Sequence, residues 1–89
     1  MAEPMSRELL DLMEAHLNLE RQSAADYFAA AIWFAERELT GFAEHLRDEA
    51  KQEQEHAAKF ADYLISRGQR PELDTIVPPR QQWTGGEQV

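Results

Sequence analysis

Eighty-nine residues allow one domain, and a chain this short buries only about 60% of the surface its unfolded form exposes. Nine Lys plus Arg stand against seventeen Asp plus Glu, a formal charge of -8, which is the wrong sign for coating a phosphate backbone or an anionic membrane. The absence of cysteine removes disulfides, thiolate zinc sites and Cys-ligated iron-sulfur clusters, so a metal must be held by oxygen and nitrogen.

In chain order, Met1-Ala2-Glu3-Pro4 lacks the basic start of a signal peptide, and the longest apolar run, Tyr27 to Ala35, is nine residues. A bilayer crossing needs about 20, so no membrane partner is expected and the protein is expected to be cytoplasmic. Ser6 is placed as an N-cap with Glu8 near the positive end of the dipole, which predicts a first helix from about Ser6 to Glu36. Thr40-Gly41 marks a break, and a second helix is predicted from about Thr40 to Arg67, closed by Gly68 in the left-handed conformation. Pro71, Pro78, Pro79, Gly85 and Gly86 make residues 68–89 an irregular tail after a helical body spanning 1–67. The connection is short, so the fold class is all-α, an antiparallel two-helix hairpin.

At about 100° per residue, Leu9, Met13, Leu17, Ala24, Tyr27, Phe28, Ala31, Phe34 and Ala35 share one broad face of the first helix. Phe42, Leu46, Ala50, Ala57, Phe60 and Leu64 form the stripe of the second. Leu12, Leu19, Ala30 and Trp33 project beside the main stripe with nothing evident in the chain to cover them. Ordering this many residues costs about 1.5 kcal/mol each, which two helices alone do not recover. The pattern therefore predicts self-association about a two-fold axis into a four-helix bundle.

Two acids break the pattern. Glu20 sits mid-stripe on the first helix, and Glu53 holds the same place on the second, thirty-three positions later. Neither has an Arg or Lys on its own stripe, and a carboxylate taken from water without compensation must be protonated, hydrated or bound to a cation. His56 follows Glu53 at i+3, where both side chains reach one point in space. A Glu on one helix with Glu-x-x-His on its neighbour is half the ligand set of a di-iron carboxylate bundle.

Asn18-Leu19-Glu20, Tyr27 seven positions on, and Glu53-Gln54-Glu55-His56-Ala57 resemble the first half, the A and B helices, of a ferritin subunit. Trp33-Phe34-Ala35-Glu36-Arg37-Glu38-Leu39 and Pro79-Arg80-Gln81-Gln82-Trp83 look especially like cyanobacterial-type ferritins. The resemblance covers residues 6 to 83 and implies that Glu20, Glu53 and His56 hold iron at a ferroxidase centre. It further implies that Glu53 bridges and that Tyr27 is a redox-active neighbour. Gln54 occupies the position of the haem-ligating methionine of bacterioferritins, so no haem is expected. In the family the second iron's ligands come from later helices, and the sequence ends where those are expected to begin.

The reading that results is a ferritin-like iron-binding protein of half length. Its homodimer, a ferritin-like four-helix bundle, assembles a di-iron ferroxidase centre oxidising Fe(II) with oxygen or peroxide, with one iron per chain. The alternative is a non-catalytic interaction module or remnant that associates with full-length ferritin subunits; a third is a peroxide scavenger or iron carrier. Glu49, one turn before Glu53, is a candidate accessory ligand, and His16, one turn before Glu20, a candidate to orient it. The tail through Trp83 is expected to cross the partner subunit.

Overall fold

The computed structural model describes residues 5–83; the opening Met1 to Pro4 and the tail after Trp83 lie outside them. Helix α1 spans Arg7–Glu36 and helix α2 spans Thr40–Ser66, packed antiparallel as a hairpin in a rod of 54 × 19 × 16 Å. Ser6 caps α1 as its sequence predicts, its Oγ accepting from the Leu9 N–H at 3.1 Å. Both helices end in the same way. Leu39 N–H reaches back to Phe34 O at 3.0 Å, and Gln69 N–H to Leu64 O at 2.9 Å, each across one residue with positive φ. At the second end that residue is Gly68, φ 74°, as expected.

At the first end it is Glu38, φ 61°, and Gly41 lies inside the first turn of α2. The break is thus Arg37–Leu39 and not the Thr40-Gly41 pair. A side chain in this region costs on the order of 1–2 kcal/mol, which the surrounding reversal imposes.

An alanine seam joins the helices. Ala24 and Ala31 of α1 and Ala43, Ala50 and Ala57 of α2 are all buried, while Leu17 and Leu64 are the two large side chains fully withdrawn from solvent. Small residues let the backbones approach closely, and the buried positions recur along α2 from Ala43 to Leu64 while several large residues of the stripes stay uncovered. Leu9, Phe28 and Phe42, expected on the packed faces, remain 43%, 53% and 59% exposed.

The described part of the tail runs along its own α1, in the same direction. Asn18 Nδ2 donates to Glu72 O at 2.9 Å and Asn18 Oδ1 accepts from Asp74 N–H at 2.9 Å. Glu14 Oε2 accepts from Glu72 N–H, Arg21 Nη1 donates to Asp74 O, and Gln22 exchanges two bonds with Val77. Trp83 then meets Trp33 edge-on with ring centroids 5.8 Å apart, and Arg37 stacks over Trp33 at 3.8 Å. Ala30 and Trp33 are therefore buried beneath chain of the same molecule, whereas Leu12 and Leu19 stay exposed. The Trp33 Nε1–H is buried without a hydrogen-bond partner among the described residues, a cost set against this aromatic packing.

Removing the clamp gives a direct check. Asn18→Ala deletes two tail bonds worth about 1 kcal/mol each, so the docked population should fall on the order of tenfold or more. Limited proteolysis within residues 69–83 should accelerate while helical circular dichroism is unchanged. Cleavage at the wild-type rate would show that Asn18 does not hold the tail.

Candidate metal centre

Glu20 enters the site from the middle of α1, and Glu53 and His56 enter from successive turns of α2, so the hairpin itself assembles the group. One ligand atom from each lies within 4.8 Å of the others. His56 Nδ1 stands 3.7 Å from Glu20 Oε2 and 3.9 Å from Glu53 Oε1. Both separations are too long for hydrogen bonds. They do match the roughly 3–4 Å spacing of atoms that each sit about 2.0–2.2 Å from one divalent ion.

The carboxylate side chains are only 19% and 18% exposed, and His56 at 49% faces outward. Among the described residues no ion pair with Lys or Arg satisfies either acid. His56 is the one basic side chain within 4 Å of the two acids among the described residues, and the three groups together could hold a cation. Hard oxygens with one imidazole suit Fe(II) and Fe(III).

Glu20 and His56 open on a cleft of about 370 Å³ lined also by Met13, Lys59, Phe60 and Tyr63. Sequence reasoning placed Met13 and Phe60 on the apolar stripes as core and did not assign Lys59 or Tyr63 to the site.

The lesser candidates fall elsewhere. Glu49 lies 3.9 Å from His45 Nε2, one turn from Glu53 and outside the three-residue group. His16 lies against Phe60, rings 5.7 Å apart and nearly parallel, and no hydrogen bond joins it to Glu20 among the described residues. Tyr27 is half-buried and lines a second cleft with Ser23, Asp26, Ala30, Leu46 and Trp83. Two helical turns, about 10.5 Å of rise, separate it from Glu20.

Two antiparallel helices carrying a Glu and a Glu-x-x-His define a carboxylate-bundle scaffold for a hard cation. Residues 10–89 match the sequence model of the ferritin-like domain, and the chain belongs to the ferritin family. It is 34% identical over 80 residues to a bacterial non-heme ferritin of Staphylococcus epidermidis, covering 90% of this chain and 48% of that protein. With the ferritin heavy chain of Drosophila melanogaster it shares 36% identity over 81 residues, 83% of this chain and 40% of the other. An open-pore ferritin from the hyperthermophilic archaeon Archaeoglobus fulgidus superposes with a TM-score of 0.86 at 27% identity, over 94% of this chain and 52% of that one. The chain thus spans about half the length of the curated relatives it matches. No described helix is long and apolar enough to cross a membrane.

Proposed function

We propose that the protein binds Fe(II) as substrate at Glu20, Glu53 and His56, and that two copies joined about a two-fold axis complete a di-iron ferroxidase centre. The observation that carries this reading is the half-site itself: three converging ligand atoms, with no Lys or Arg paired to either acid among the described residues. Exposed Leu9, Phe42 and Tyr63 flank that half-site, and a second copy would cover them while bringing its own three ligands opposite.

Each iron supplies one electron, so a pair matches the two-electron reduction of dioxygen to peroxide, or of peroxide to water. Glu53 would bridge the pair and Glu20 with His56 would complete each iron's ligands, the roles the family resemblance implies. Tyr27, two turns from Glu20 and lining a separate cleft, would act as a further electron donor, the role the family resemblance implies. The reading places the protein in cytoplasmic iron homeostasis, without haem and without nucleic-acid or membrane partners.

Native mass spectrometry during an iron titration tests both halves of the reading at once. The expected result is an even number of chains with one iron per chain. Single chains that take up no iron would overturn it. Preferential capture into mixed particles with a full-length ferritin subunit would favour an interaction module in its place.

A further inference from the structure

We propose that Met13 is a sacrificial oxidation site for the centre, a thioether placed to take an oxygen atom from peroxide present at the iron ligands. The inference rests on the ferroxidase reading above and concerns a residue that plays no part in holding the metal.

Three observations place Met13 there. It lines the same cleft of about 370 Å³ onto which Glu20 and His56 open. It is half-buried and lines the cleft with Phe60 and Tyr63, so its side chain is reachable by a small oxidant. It also precedes Glu20 by seven residues on the same stripe of α1, a rise of about 10.5 Å over two turns.

The competing groups in the chain are poorer acceptors of an oxygen atom. There is no cysteine. Tyr63 gives up one electron at a time, and its hydroxyl already accepts from Arg67 Nη1 at 3.3 Å. Methionine undergoes a two-electron oxidation that reductases reverse.

The chemistry balances with peroxide as the named oxidant. Two Fe(II) and two protons convert dioxygen to hydrogen peroxide and leave two Fe(III). A sulfur lone pair of Met13 then attacks one peroxide oxygen, the O–O bond breaks and an S–O bond forms. The second oxygen leaves with both protons as water. Sulfur loses two electrons and the peroxide oxygens gain them, giving methionine sulfoxide. The product is polar and sits beside the apolar flank that a second copy would cover, so oxidation there also weakens pairing.

The test uses the intact protein, with Fe(II) added in air and ferric absorbance recorded on the same samples taken for peptide mass. Arg7 and Arg21 flank Met13, so trypsin releases it in a peptide that lacks Met5. Met5, before Ser6 and outside the cleft, is the internal comparator, distinguished from Met1 in the same peptide by fragment masses. The expected result is that the Met13 peptide gains the mass of one oxygen well ahead of the Met5 peptide. The lead should vanish with Zn(II) in place of Fe(II), and in both Glu20→Gln and His56→Asn.

Ferric absorbance with Met13 oxidised no faster than Met5 overturns the inference and leaves the ferroxidase reading standing. A lead that persists with Zn(II) reveals an ordinary reactive thioether and overturns it as well. Absence of ferric absorbance in the wild-type protein sinks the ferroxidase reading and this inference with it.

Discussion

Glu20→Leu is expected to abolish iron oxidation and at the same time make the metal-free protein more resistant to heat. Removing even an outer partner of a metal ligand costs about 10–100-fold in affinity, so losing one of three direct ligands should exceed that. The gain in stability has a separate origin. The Glu20 side chain is 19% exposed and, without a cation, is paired only loosely with His56 at 3.7 Å. A desolvated polar group without a partner costs about 1–3 kcal/mol, which Leu removes while adding apolar contact along the stripe. In a domain of this size each 1 kcal/mol moves the thermal midpoint by about 4–8 °C. Ferric absorbance and a melt in chelator read the two effects. His56→Ala should lose the iron reaction without the gain, because that ring is half exposed. Full oxidation by Glu20→Leu would remove Glu20 from the centre.

Leu17→Ala, with Leu64→Ala, should be among the most damaging truncations of the described residues. Leu17 is 1% exposed, three residues before Glu20, and fills the helix interface beside the alanine seam. Emptying such a site costs about 2–5 kcal/mol, a large share of the about 5–15 kcal/mol that holds a small domain together. The thermal midpoint should drop by more than about 10 °C. Leu19→Ala is the matched control: its side chain is 59% exposed in the hairpin, where surface changes stay within about 0.5 kcal/mol. A comparable loss at Leu19 would show that an assembled partner covers it.

The parts of this molecule that sequence reveals are those decided locally. Ser6 and Gly68 mark helix ends because a hydroxyl cap and a left-handed glycine act within one turn. Glu20, Glu53 and His56 stand out because charge on an apolar stripe is costly, and that cost is visible from periodicity alone.

The rest depended on partners distant in the chain. Glu38 takes the left-handed position because the reversal after Glu36 demands one there, and nothing in its chemistry advertises that. The tail is anchored by Glu14, Asn18 and Gln22, more than fifty residues away from the backbone groups they bond. Their i, i+4, i+8 spacing along one edge of α1 was the available signal. It resembles an ordinary solvated face until an extended segment is laid against it. Met13 and Phe60 were hidden for the opposite reason, since an apolar side chain on a stripe looks the same whether it meets a helix or a cleft.

Glu20 is alone on its helix, while its two companions share the other. An ion bound among them would act as a buckle across the hairpin, since the two rods could not part at mid-length without releasing it. The supply of dissolved metal would then set how often the pair springs open, and starvation would loosen the same molecule that plenty fastens.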